Sequence, residues 1–105
     1  MIHRGEVYDA EFPIGGIHPA IVVTQEQAIP VLSSVAVVLI TTTVRGHPAE
    51  MALSSSDELD LADSVANCDD IATLPKARLG RYRGRLSIEE GVALNRALAV
   101  ALGLD

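Results

Sequence analysis

The sequence predicts a mainly β protein with one C-terminal helix, its short strands arranged as a small barrel. Two observations carry this. Strand-length runs of β-branched and aliphatic residues recur along most of the chain, each ended by Pro, Gly or Asp, and short strands set between turns are the pattern of small barrels. Near the C-terminus the period switches to helical, behind a Ser-x-x-Glu start.

Residues 6–12 read as the first strand, mixed in polarity and closed by Pro13 and Gly15-Gly16. Residues 19–24 (P-A-I-V-V-T) read as the second. Residues 25–30 form a connector, because Pro30 excludes them from the middle of a sheet. Residues 34–43 are the strongest strand signal, nearly all apolar until three threonines, which predicts burial on both faces. Gly46-His47-Pro48 is a turn, and 50–53 a short alternating strand. Residues 54–63 are polar and acidic, a loop or a helical turn. Residues 64–68 and 71–74 read as two short β segments around Asp69-Asp70, and 81–86 as a last strand. Ser87 and Glu90 form a capping box that starts a helix running to about Leu102. Its expected apolar face is Ile88, Val92, Leu94, Leu98 and Leu102, and Gly103 is placed to end it in the left-handed conformation.

A length of 105 residues accommodates one domain, taken as 1–105. Tyr8, Phe12 and Tyr82 are the only aromatics, so the core falls to Val, Ile, Leu and Ala. No apolar run is long enough to span a membrane. Cys68 is alone, which excludes an internal disulfide. With no signal-peptide pattern at the start, the expectation is a cytoplasmic protein. The net charge of −6 argues against nucleic acid at first sight, but distribution matters more than the sum. Lys76, Arg78, Arg81, Arg83 and Arg85 share one window that contains no acid, which predicts a basic face on a mostly acidic molecule.

His3, His18 and His47 lack metal-ligand spacing, and no phosphate loop or G-x-S-x-G elbow occurs, so no metal and no cofactor is expected. Three features remain. His18, before Pro19 at the mouth of a strand, is able to exchange protons near neutral pH; a solvated loop histidine is the plainer reading. Thr41-Thr42-Thr43 places hydroxyls where a buried strand surfaces; β-propensity at an exposed strand end explains them equally. The arginines of the basic window suit phosphate contacts, or form a solvated face.

Taken in order along the chain, these segments resemble the MazF/PemK toxins. The segments are H-R-G-E-V-Y (3–8), I-H-P-A-I-V-V (17–23), V-V-L-I-T-T-T (37–43), His47-Pro48, S-V-A-N-C-D-D-I-A-T-L-P-K-A-R-L-G (64–80) and G-R-L-S (84–87) before a helix ending A-L-G-L. The resemblance covers essentially the whole chain. It implies an SH3-like barrel, usually dimeric, with metal-independent, sequence-selective cleavage of single-stranded RNA that leaves a cyclic phosphate. It also implies a cognate MazE-like antitoxin as partner and no membrane. By position, Thr41 matches the family's catalytic Ser/Thr, Arg45 a basic RNA contact in some members, and Asp69 and Asp70 a pair near the substrate groove. With Thr42, Arg81 and Arg83 these form the expected RNA track, and His18 with Thr41 the expected catalytic pair. The sequence departs from the family at His18, where the family carries an arginine. That departure opens a second reading: a catalytically weak or non-enzymatic toxin on the same barrel, either gyrase-poisoning or only antitoxin-binding.

Overall fold

The computed structural model describes residues 1–54, 61 and 63–104. The strands are β1 (Glu6–Phe12), β2 (Gly16–Val22), β3 (Ser34–Thr41), β4 (Glu50–Ala52), β5 (Val65–Pro75) and β6 (Leu79–Arg85), followed by the helix α1 (Ile88–Leu102). Single 3-10 turns at Ile29–Val31 and Lys76–Arg78 lead into β3 and β6. One antiparallel sheet takes all six strands in the order β4-β5-β3-β2-β1-β6. The two end strands are not paired with each other, so the barrel stays open along that seam. The extents, 33 × 30 × 28 Å, are those of a curled sheet, not a flat one.

Side chains alternate across a strand, so a sheet with two buried faces needs apolar residues in both registers. β3 supplies them. Val35 and Val37 face a cluster with Ala10, Ala20, Val22, Ile29 and Leu74; Val38 and Ile40 face the opposite cluster with Val7, Ile21, Met51, Cys68 and Leu94. The helix covers the second face and the Ile29 turn helps close the first.

β2 starts at Gly16, earlier than the expected Pro19. Before Ala20 the strand pairs with β1 alone, and the ladder to β3 opens at Ala20–Leu39. Pro19 therefore sits where one side of the strand has no ladder to supply, the setting in which proline is tolerated. The two short segments around Asp69-Asp70 are one strand. A bulge separates the Val38–Ile71 pair from Leu39–Asn67, so residues 68–70 bow out of the ladder. The Cys68 N–H is satisfied by the Ala49 carbonyl at 3.0 Å and the Asp69 N–H by Asn67 Oδ1 at 3.2 Å. β6 begins at Leu79, two residues before the expected start. The acidic stretch expected as loop or helical turn lies, at 55–60 and 62, outside the described residues.

The capping box forms as expected: the Glu90 N–H donates to Ser87 Oγ at 3.1 Å, and the Ser87 N–H to Glu90 Oε1 at 3.0 Å. Gly103 ends the helix at φ 68°. The buried face differs from expectation. Leu94 and Ala97 are buried, with Ala93, Leu98 and Ala101 packed beside them. Ile88 (85% exposed), Val92 (47%) and Leu102 (58%) stay outside. Small alanines let the helix approach the sheet closely, so the contact stripe follows them, and three of the larger residues fall outside it.

Candidate active site

The two catalytic candidates lie on adjacent strands, His18 on β2 and Thr41 at the end of β3. The β2–β3 ladder ends at Ala20–Leu39, so His18 and Thr41 each lie two residues beyond its last pair. Ala10 pairs with both His18 and Leu79, and Thr41 with Val65. His18 is thus joined through β1 to β6, and Thr41 to β5. Residues facing each other across a ladder share a face.

His18 is half-buried and held on two sides. Its Nε2 lies 2.7 Å from the Gly15 carbonyl oxygen, and its ring meets Phe12 edge-on at 6.1 Å between centroids. Thr41 Oγ1 accepts the Thr43 N–H at 3.1 Å. That contact uses a lone pair and leaves the hydroxyl proton to donate.

Beyond Thr41 the chain forms the 42–49 loop, which carries exposed Thr42 and Arg45. The Glu50 carboxylate holds this loop, accepting the Arg45 N–H at 2.9 Å and the Gly46 N–H at 2.7 Å. The Arg45 amide hydrogen bond keeps the Glu50 carboxyl below the usual carboxylate range, against some desolvation. His47 Nδ1 lies 3.3 Å from both the Ala49 N–H and Asp69 Oδ2. Unprotonated, it accepts from the first; protonated, it donates to the second. Asp69 is thus tied to the loop from the bulge of β5, and Asp70 beside it is exposed.

The basic window is less free than its sequence suggests. Arg83 donates to Asp9 at 2.9 Å, with both side chains mostly buried, and Arg78 pairs with Glu11. The acids come from β1, the neighbour of β6. Arg81 and Arg45 are exposed and, among the described residues, make no ion pair. The structure therefore leaves Arg81 available for phosphate and commits Arg83 to Asp9. Among the described residues no group of three His, Cys, Asp or Glu is placed to hold a metal ion. A cleft of about 550 Å³ lies elsewhere, between the start of α1 and the N-terminal segment, lined by Arg4, Arg85, Ile88, Val92 and Asn95.

Sequence reasoning missed Asp9, Glu11, Glu50 and His47 as partners of the site. For Glu50 a local signal existed: a carboxylate four residues after Gly46, within reach of the turn's amides. For Asp9 and Glu11 there was none, because the β1–β6 pairing is distant in sequence.

An open six-stranded barrel with one C-terminal helix, carrying a histidine, a hydroxyl and exposed arginines, has counterparts among known proteins. The chain belongs to the PemK-like, MazF-like toxins of type II toxin–antitoxin systems, whose family model matches residues 3–102. It is 38% identical over 87 residues to endoribonuclease MazF3 of Mycobacterium tuberculosis, covering 83% of this chain and 84% of that protein. It is 36% identical over 101 residues to endoribonuclease MazF1 of Mycobacterium bovis, covering 96% and 92%. A mycobacterial endoribonuclease solved in complex with its cognate antitoxin superposes with a TM-score of 0.90 at 34% identity, covering 100% of this chain and 98% of that one. The MazF of Deinococcus radiodurans, at 19% identity and a TM-score of 0.81, shares the fold.

Proposed function

We propose that this toxin is a metal-independent endoribonuclease that cleaves single-stranded RNA sequence-selectively in the cytoplasm and is silenced by a cognate MazE-like antitoxin. The observation that carries this is the near-full-length similarity to MazF endoribonucleases, one of them solved with its antitoxin. A homodimer is the working assembly.

In this reading the ribose 2′-oxygen attacks the adjacent phosphorus. A new O–P bond forms, the P–O5′ bond breaks with its electron pair going to O5′, and a 2′,3′-cyclic phosphate remains. His18 takes the 2′-hydroxyl proton, and O5′ is protonated from water. The Thr41 hydroxyl donates to a phosphate oxygen and fixes its geometry. Arg45 and Arg81 supply positive charge along the strand, Thr42 adds a hydroxyl, and Asp69 and Asp70 border the track beyond the loop. Arg83 acts indirectly, by holding β6 to β1 through Asp9.

The test is a mixed single-stranded RNA incubated with purified protein in EDTA. Cleavage to cyclic-phosphate ends by the wild type, and its loss in Thr41→Ala and His18→Ala, is the expected result. No cleavage by the wild type overturns the activity; undiminished cleavage by both variants overturns the assignment of the pair.

A further inference from the structure

We propose that the Gly15 carbonyl orients His18 as a one-sided base, holding a proton on Nε2 so that Nδ1 is the atom that accepts the proton of the ribose 2′-hydroxyl. This rests on the nuclease reading above and assigns it an atom and two positioning residues.

The argument starts from the hydrogen bond. A carbonyl oxygen only accepts, so at 2.7 Å the ring nitrogen facing it must be the donor. Nε2 therefore carries hydrogen, and in the neutral ring Nδ1 carries the lone pair. Among the described residues Nδ1 makes no hydrogen bond, so it stays open to a substrate proton. Phe12, packed against the apolar cluster of that face, meets the ring on another side and limits its rotation.

The hairpin between β1 and β2 is built to deliver this carbonyl. Gly15 has φ +95° and Gly16 φ +81°, a left-handed pair that side-chain-bearing residues rarely adopt. A Cβ on Gly15 would lie 3.4 Å from His18 Nε2, so the turn also leaves the ring the room it occupies. The glycines thus serve the histidine three and two residues on, as well as the chain reversal.

The chemistry gains from this geometry in two ways. As Nδ1 takes the proton, positive charge spreads over the ring, and the Nε2–H bond to a carbonyl strengthens with it. The same bond keeps Nε2 from competing for the proton, so every neutral molecule presents the same acceptor. An orienting acceptor behind a histidine base is the arrangement by which carboxylates serve other hydrolases; here a backbone carbonyl fills that place. Gly15 and Phe12 touch no substrate in this scheme and are positioning residues.

The experiment is nitrogen-15 NMR of histidine-labelled full-length protein, reading the tautomer from ring nitrogen–proton couplings, with His18 identified through His18→Gln. The expected spectrum shows His18 as the Nε2–H tautomer with that proton protected from exchange with water. Gly15→Asn, a residue that tolerates positive φ, is expected to expose the proton. It should also lower kcat by about tenfold to hundredfold with KM within about twofold, below the full worth of a general base. His18→Gln keeps an amide N–H able to reach Gly15 but has no base, so cleavage falls by at least about a hundredfold. An Nδ1–H tautomer or an unprotected Nε2 proton in the wild type overturns the proposal, whether or not Gly15→Asn folds. So does a folded Gly15→Asn that leaves both the His18 resonances and kcat unchanged. A wild type with the expected spectrum that cuts no RNA sinks the nuclease reading and the base role with it, while the turn-held tautomer stands on its own resonances.

Discussion

Replacing Glu90 tests how the helix is fastened to the barrel. Its Oε1 accepts the Ser87 N–H at 3.0 Å, and its Oε2 accepts both the N–H and the hydroxyl of Ser54 at 3.1 Å. One carboxylate thus caps α1 and ties it to the residues after β4. Glu90→Ala deletes all three bonds but keeps the Glu90 N–H to Ser87 Oγ. At about 0.5–1 kcal/mol for each partly exposed bond, less a few tenths for the better helix propensity of Ala, the loss is about 1.2–2.7 kcal/mol. For a domain near this size that is a drop in Tm of about 5–12 °C, read by thermal unfolding followed by circular dichroism, with the energy itself read by urea unfolding. A double-mutant cycle with Ser54→Ala should give a coupling of about 1 kcal/mol. The pH dependence has a definite sign. Burial opposes the Glu90 charge, but the hydrogen bonds from Ser87 and Ser54 outweigh it and hold the carboxyl below its usual value near 4.5. A depressed acid stabilises the fold above the unfolded value and loses that contribution as pH falls through the folded one. The gap between wild type and Glu90→Gln should therefore narrow in acid. A loss under about 0.5 kcal/mol, zero coupling, or a gap that widens in acid would refute the reasoning.

Leu94, 1% exposed, is the large side chain through which α1 enters the core, and Leu94→Ala should cost about 3–4 kcal/mol in urea unfolding; a loss below about 1 kcal/mol would mean the helix does not close that face. The Cys68 thiol is pushed up to about 11 by burial and by Asp69. Native protein near neutral pH should resist iodoacetamide and label fully once denatured, so rapid native labelling would contradict the burial. Arg45→Ala and Arg81→Ala should each reduce the salt slope of RNA binding by about 0.7, whereas Arg83→Ala should leave the slope unchanged and cost about 1 kcal/mol of stability through the orphaned Asp9. Equal slope changes for all three would show that the Arg83–Asp9 pair opens to RNA.

Local signals in the sequence were read correctly where the physics is local. The Glu6–Phe12 strand, the two-faced burial of β3, the Ser87–Glu90 box and the Gly103 stop all depend on neighbours within a few residues. Misreadings arose where a partner decides. Whether residues 68–70 break a strand or bulge out of it depends on β3 and on the Ala49 carbonyl. The buried stripe of α1 was misjudged because size was taken for contact, whereas Leu94 and Ala97 set the helix by close approach. At the site, His18 was singled out by its place before Pro19 and Thr41 by the family resemblance, but that they lie on adjacent strands follows only from the β2–β3 pairing. The free and committed arginines could be told apart only once β1 lay beside β6.

The open seam of the barrel has a colloidal consequence. A strand with an unpaired edge offers its amides and carbonyls to any chain that arrives, including another copy of itself. Here β4 is only three residues long, too short to template a growing fibre. The other border, β6, is seven residues long and carries Arg81, Arg83 and Arg85 at alternate positions. Two copies meeting along that border would set arginine against arginine across the new ladder, and like charges directly opposed are repelled. The exposed cations Arg81 and Arg85 would thus discourage this strand from aggregating with its own kind.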